Sequence, residues 1–145
     1  MTTFKRGQGS RSSSLYNMGT LASATYAASS AIDLGALQGL DTVFEVEADP
    51  NGSPTGNKQL VLFAKLSLDN SNFTSGPESG TDTTNEADLH WVGTLTCNDT
   101  GTHRDFFSID HLPPCRYIKL IPKNDMGVAL TSGNIYSAEI TGDGS

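Results

Sequence analysis

Alternation of apolar and polar residues with a period of two dominates the chain after residue 30. In the segment 42–48, Phe44, Val46 and Ala48 fall on one face, and Glu45 and Glu47 fall on the other. This pattern is typical of an antiparallel strand with one buried face. The segment 59–68 carries leucine or alanine at every even position and is the longest such run. We therefore expect it to lie in the centre of a sheet.

Further short segments are rich in β-branched and aromatic residues and are separated by turn residues. They are 31–37, 89–96, 106–110, 116–121, 127–130 and 134–140. Trp91 shares a face with apolar neighbours, so we expect it in the core, and Ser132-Gly133-Asn134 has the composition of a hairpin turn. Together with the two alternating runs, these segments make about eight strands and no long helix. The sequence predicts an all-β, two-sheet antiparallel sandwich of jelly-roll-like topology.

One polar connection stands out by its length. Asp69–Ala87 is longer than most connections inside a compact domain, and long connections are commonly functional. It is predicted to be an exposed binding loop or a mobile flap.

Residues 1–30 have a different composition, rich in Ser, Thr, Ala and Gly. Such a segment offers little apolar area to offset its ordering entropy. We expect residues 1–30 to be a flexible or extended N-terminal arm and residues 31–145 to be the sandwich domain. A free tail and an arm that orders on a partner are the two interpretations. In the second, the partner-binding residues are Phe4, Lys5, Arg6, Arg11, Leu15 and Tyr16.

Charge is distributed unevenly along the chain, which has a formal net charge of -7. Three of the nine basic residues precede the first acidic residue, Asp33, so the remainder carries six basic against 16 acidic residues. An acidic body disfavours nucleic-acid binding, which requires a basic patch. The basic arm is better suited to an acidic protein surface, such as a neighbouring copy of the chain.

The apolar residues do not form a membrane helix or a secretory signal. No stretch approaches the roughly 18 uncharged apolar residues of a membrane helix, and the N-terminal residues lack the order of a secretory signal. We expect synthesis in the cytoplasm, no membrane partner and two reduced cysteines.

Candidate catalytic chemistry is thin. The three histidines lie in no nucleophile, phosphate-binding or zinc-protease motif, so we expect neither an enzyme nor a cofactor. Four metal-ligand types lie within 97–115, namely Cys97, His103, His111 and Cys115. None forms the closely spaced pair of a zinc site, so no metal is expected. Asp69-Asn70-Ser71-Asn72 could offer oxygens to calcium, but it lacks the bidentate Glu and the turn Gly of a dedicated loop.

Three segments resemble a known group of proteins. The segment 112–124, LPPCRYIKLIPKN, followed by Gly127, resembles the C-terminal part of tailed-phage virion proteins. In that group a Leu-Pro-Pro…Arg-Tyr-(Ile/Val) strand leads to an Asn, a Gly-containing turn and a last strand. The segment 62–73 is similar to the group's strand and Ser-x-Asp-(Gly/Asn) turn, and 31–35 resembles its first strand.

The resemblance implies a capsid decoration or cement protein with a β-sandwich fold. Such a protein stabilises the phage head by bridging subunits of the major capsid protein, and its arm fastens it to the shell or to a neighbouring copy. It further implies a dimer or trimer on the capsid surface of the virion, made in the host cytoplasm. The segment 116–120 also resembles discoidin-like and carbohydrate-binding sandwiches. A carbohydrate-binding or tail-associated receptor-binding module is therefore the alternative, although Phe73 is the one aromatic that its loops offer.

Overall fold

The computed structural model describes residues 4–36 and 38–143. These residues form eleven strands and one short 3-10 helix, η1. The strands are β1 (Lys5–Gln8), β2 (Tyr16–Asn17), β3 (Tyr26–Ala27), β4 (Ile32–Asp33), β5 (Asp41–Pro50), β6 (Gln59–Ser67), β7 (Ser79–Gly80), β8 (His90–Thr96), β9 (His103–Ser108), β10 (Tyr117–Asp125) and β11 (Leu130–Asp143), and η1 spans Glu86–Asp88.

The strands form two antiparallel sheets. The first sheet has the order β1-β11-β5-β9, and β2 also pairs with β11. The second sheet has the order β7-β3-β10-β6-β8, and β4 also pairs with β10. The predicted all-β sandwich of two antiparallel sheets is confirmed, with more strands than the predicted number.

The pairs of strands are nested, as in a jelly roll. β1 and β2 form one broken strand along β11, and β3 and β4 form another along β10. Inside these two pairs, β5 pairs with β9 and β6 pairs with β8. The arm therefore supplies the first strand of each sheet, and a boundary at residue 30 falls between β3 and β4.

The core lies between the two inner faces. The predicted alternation of 42–48 is confirmed, since Phe44 and Val46 are fully buried. β6 lies between β10 and β8, as its long apolar pattern predicts. Apolar side chains from both sheets and from the arm fill the main cluster: Met18, Leu21, Phe44, Val46, Leu60, Leu62, Leu66, Val92, Leu95, Ile118, Leu120, Leu130 and Ile135.

Trp91 is not a core residue, contrary to the sequence prediction. It is 53% exposed, because the pairing of β6 with β8 shifts register between Leu62 and Phe63. The extra residue on β8 is Val92, and such a bulge reverses the faces of the strand around it. Val92 consequently takes the buried position.

Ser132-Gly133-Asn134 does not form the predicted hairpin turn. All three residues lie inside β11, which unites two predicted strands. Gly133 is there because Met18 packs against it: a Cβ would lie 2.6 Å from the Met18 methyl carbon. The turn between β10 and β11 instead contains Gly127, which has a φ of 76°.

Candidate functional site

The N-terminal arm is bound to the body of its own chain. Between β1 and β3 it continues along β11 through backbone hydrogen bonds of 2.8 to 2.9 Å. The donors are the N–H groups of Gly9, Ser12, Leu15 and Met18, and the acceptors are the carbonyls of Glu139, Ser137, Ile135 and Gly133. These residues of the arm thus run along β11 and cover its edge.

Arg11 meets an acidic group of the same chain. Its guanidinium donates to the carboxylate of Glu45 and lies 3.5 Å from the centroid of the Tyr136 ring. The hydrogen bond to Glu45 raises the pKa of Arg11. Arg11 is therefore paired within its own chain.

Arg104 completes a small ionic cluster on the outer face of the first sheet. Its Nε lies 3.1 Å from Glu45, and its other end pairs with Glu47. The two carboxylate side chains are only 13% and 23% exposed. We call Arg11, Glu45, Glu47 and Arg104 the ionic cluster; its two positive and two negative charges cancel.

The other predicted arm residues are held to different degrees. Every residue of β1, including Lys5 and Arg6, is exposed, and β1 is held by its backbone pairing with the last residues of β11. Phe4 is 59% and Leu15 36% exposed. Tyr16 instead packs against the core, and its hydroxyl donates to the Ala27 carbonyl at 2.9 Å. Tyr16 is thus used internally, whereas β1 is the accessible part of the arm.

A hollow of about 440 Å³ lies beside the ionic cluster on the same outer face. Val43, Ala138 and Ile140 line it from β5 and β11, and Gln8 and Arg11 border it from the arm. Phe106 of the edge strand β9 also lines the hollow and is 65% exposed. We call this surface the open face.

Part of the outer face of the second sheet is covered. The long loop predicted as a binding loop or flap packs over an apolar cluster made of Tyr26, Val61, Phe63, Leu89 and Ile121. Two glutamates of this loop fasten it. Glu78 accepts from Lys65 at 3.1 Å and from Lys119 at 3.0 Å.

Glu86 makes the second attachment, to Lys123 at 2.6 Å and to the Tyr26 hydroxyl. β7 adds backbone pairing with β3. The loop is therefore a lid over the second sheet, held by two carboxylates.

Acid should loosen this lid. Hydrogen bonds from Lys119 and Lys65 lower the pKa of Glu78. Burial acts to raise the pKa of Glu86, but hydrogen bonds from Lys123 and Tyr26 outweigh it, and the pKa is lowered. A carboxylate whose pKa is lowered in the folded protein stabilises the fold at pH values above its ordinary pKa, here 4.5. This stabilisation is lost as the pH falls through the lowered pKa of the folded state.

Hydrogen exchange of the loop amides, corrected for intrinsic rates, should show protection falling below pH 4.5. The double variant Glu78→Gln, Glu86→Gln should show reduced protection already at neutral pH and little further change. The control variant Asp88→Asn alters a carboxylate that directly follows the loop, at the end of η1, and that forms no ion pair among the described residues. Full protection of the wild-type loop at pH 3 would contradict this role.

The two cysteines cannot share a site. The Cys97 N–H donates to the Lys58 carbonyl, just before β6, and Cys115 lies beside Ser67 at the other end of that strand. A strand of this length spans roughly 30 Å. Burial raises the pKa of Cys97 to about 11 and also raises that of Cys115. Both thiols are free, and at neutral pH they are protonated and poorly nucleophilic.

His103, His111 and Asp69 make local contacts. His103 Nε2 lies 3.1 Å from an Asp99 oxygen, and His111 Nε2 lies 2.9 Å from the Trp91 carbonyl. Across residues 4–36 and 38–143, no three His, Cys, Asp or Glu side chains gather as metal ligands.

Asp69 accepts the N–H groups of Ser71 and Asn72 at 2.9 and 2.8 Å. Asn72 adds a side-chain N–H donor at 2.6 Å. These bonds lower the pKa of Asp69. They also direct N–H groups at its carboxylate, which is the arrangement of a polar turn and not of a calcium site.

Sequence reasoning missed the residues that lock the arm into the sandwich. Met18, Leu21 and Tyr26 are buried, although no periodic pattern marks them. Asn124 is also fully buried, and its side-chain amide donates to the Leu21 carbonyl at 2.9 Å and to the Val128 carbonyl at 2.8 Å. The one available signal was the position of this Asn shortly before a turn glycine.

Comparison with known proteins adds no relative. No protein family model matches the chain, and no curated protein matches its sequence significantly. Within the part of the chain that the structure describes, no helix has the length and apolar character needed to cross a membrane.

Proposed function

We propose that this chain is a structural virion protein of a tailed phage, a decoration or cement protein that stabilises the head by bridging subunits of the major capsid protein. The observation that carries the proposal is β1. This strand is exposed at every residue, lies at the end of the first sheet and carries Lys5 and Arg6. It is the accessible part of the arm that the phage-protein resemblance implicates in attachment.

The chemistry of an edge strand supports this role. Among the described residues, no strand pairs with the outer side of β1, so that side presents backbone donors and acceptors. An extended segment of another protein can add to such an edge through main-chain hydrogen bonds. The two cationic side chains favour a segment that carries carboxylates.

The frame behind β1 also suits an architectural role. Jelly rolls occur in viral capsid domains and in lectins, although a fold alone does not determine function. Binding to a particle sums many weak contacts over neighbouring copies, so a small chain can be held firmly without a deep site.

The second candidate function is a carbohydrate- or receptor-binding module, since lectins also have the jelly-roll fold. One observation favours it: Trp91 is exposed, and its ring centroid lies 5.8 Å from that of His111. Exposed aromatic rings of this kind have an apolar face and a polar edge that suit mixed ligands.

Deleting residues 2–9 should weaken binding to phage heads at least tenfold, or about 1.4 kcal/mol. The deletion removes β1, which buries no side chain, so the thermal midpoint should change by only a few degrees. Heads of the phage that encodes the chain, prepared without the protein, can be mixed with each variant and sedimented. The bound fraction is then measured.

A matched pair of charge variants tests the cationic edge without removing the strand. Lys5→Glu should weaken binding, whereas Lys58→Glu, which reverses an exposed lysine outside the arm, should not. Undiminished binding of the truncated chain would remove the arm from the proposal. Failure of the intact chain to bind heads, combined with specific hits on a glycan array that Trp91→Ala abolishes, would favour the second candidate.

A further inference from the structure

We propose that the open face of the first sheet is a self-association surface, on which a second copy of this chain docks face to face. This inference rests on the proposed function, since a protein that coats a shell places its copies side by side. The two copies would be related by a two-fold axis, so that each copy inserts its Phe106 into the hollow of the other.

The two outer faces differ in how much apolar surface is covered. On the outer face of the second sheet the lid lies over the buried cluster of Tyr26, Val61, Phe63, Leu89 and Ile121 and leaves Trp91 exposed. No described segment covers the open face. Its hollow is lined by the apolar side chains of Val43, Phe106, Ala138 and Ile140, with Phe106 65% exposed, and by five polar residues, Gln8, Arg11, Glu45, Ser108 and Ser137. An exposed aromatic side chain at a hollow with a partly apolar lining is a self-complementary pair of features, as an isologous interface requires.

Charge identifies a second copy as the occupant. The chain has a net charge of -7, so two copies repel each other when acidic surfaces meet. On the open face the ionic cluster cancels its own charge, because Arg11 and Arg104 neutralise Glu45 and Glu47. Two copies can therefore approach across this face with little repulsion.

The backbone geometry allows such docking. Sheets that pack face to face lie about 10 Å apart with interdigitating side chains. On the open face, Phe106 lies opposite Glu45 and one row away from the pair formed by Val43 and Ala138. A hollow of about 440 Å³ accommodates a phenyl ring. The arm contributes Gln8 and Arg11 to its border, so an ordered arm completes the surface.

The size of the face sets the strength of association. Three strands about 4.8 Å apart, with outward residues in rows about 7 Å apart, give a face on the order of 400 Å² per copy. This is about half of a standard interface. The dimer should thus be weak in solution, with a dissociation constant on the order of 0.1 to 1 mM. On a particle, the high local concentration of copies would make it effective.

Sedimentation equilibrium of the full chain, up to about 1 mM, tests the inference. The 15.3 kDa monomer should shift reversibly toward twice that mass, and Phe106→Glu should abolish the shift. The matched control Leu68→Glu introduces the same charge at the most exposed large apolar residue, 82% exposed and outside the open face, and should dimerise like the wild type. Ala138→Gln fills the hollow without adding charge and should weaken dimerisation at least tenfold.

A wild-type chain that stays monomeric at the highest concentration would overturn the inference. Equal loss of dimer in Leu68→Glu and Phe106→Glu would also overturn it, because charge alone would then explain the effect. Both substituted residues are exposed, and unchanged thermal midpoints verify that the variants fold. Head binding by a chain that never dimerises removes this inference alone, whereas a dimer that does not bind heads removes the proposed function alone.

Discussion

Replacing Asn124 with alanine should lower the free energy of unfolding by about 3 kcal/mol. Asn124 is fully buried and joins three parts of the chain. Its amide donates to the carbonyls of Leu21 and Val128, and its side-chain oxygen accepts the Met126 N–H at 3.1 Å. Alanine would leave the Val128 carbonyl and the Met126 N–H without this partner, and the Leu21 carbonyl would keep only the Leu130 N–H at 3.1 Å. Each buried group left unpaired costs about 1 to 3 kcal/mol.

Urea denaturation measures this loss, and Asn57→Ala provides the matched control. Asn57 is exposed, and its amide donates to the carboxylate of Asp125, the chain neighbour of Asn124, so its loss should cost well under 1 kcal/mol. Hydrogen exchange should show where the structure loosens, with the greatest loss of protection in residues 18–25. Stability close to that of the wild type would show that Asn124 does not hold the arm in place.

Gly93→Ala should destabilise the protein by about 1 to 3 kcal/mol through overpacking. Gly93 lies on β8 where the edges of the two sheets meet, and a Cβ there would lie within 2.6 Å of three ring carbons of Phe107. The ring would have to leave its place against the core. The bulge that exposes Trp91 adjoins this position, so the substitution adds strain to β8 where its pairing with β6 is already irregular.

Gly7→Ala is the control for Gly93→Ala, since neither glycine has a positive φ. A Cβ at Gly7 would meet only the Thr141 hydroxyl oxygen, at 3.7 Å. Removing a strand glycine without a clash should leave stability unchanged or raise it by about 0.5 kcal/mol. Thermal and urea unfolding compare the two variants, and similar effects at both positions would refute the packing argument.

The sequence predicted the parts of the fold in which a regular period coincides with burial. β5 and β6 emerge from their alternation because one face of each meets the core and the pleat has a period of two. The sandwich class follows from many short β-rich segments without a helix. A bulge has no such signature, because one extra residue on β8 is set by pairing with β6. The exposure of Trp91 could therefore not be predicted from the sequence.

The arm was the largest gap between sequence and structure. Its buried residues Met18, Leu21 and Tyr26 are separated by Gly, Ala, Ser and Thr, so large apolar side chains are sparse in this segment. Their burial depends on partners far along the chain, such as Gly133 and Asn124. The composition of a segment indicates only how much apolar surface it can bury by itself. A strand that joins a sheet is also buried by residues of the other strands, which its own composition does not show.

The candidate site was predictable in part. A basic arm and an acidic body do suggest contact between the two, and Arg11 does meet Glu45. The sequence contained no signal that this contact occurs within one chain or that Arg104 would share it. The open face likewise depends on the register of β5 with β9 and β11, which places Phe106 next to the hollow.

The nested pairing of strands has a consequence for folding kinetics. β1 pairs with the last residues of β11, so Gly7 is opposite Thr141, and such a fold has a high contact order. During synthesis β1 emerges first, but its place in the sheet does not exist until β11 has been made. The segment with the exposed basic edge is therefore translated before the other described strands and is among the last to be paired.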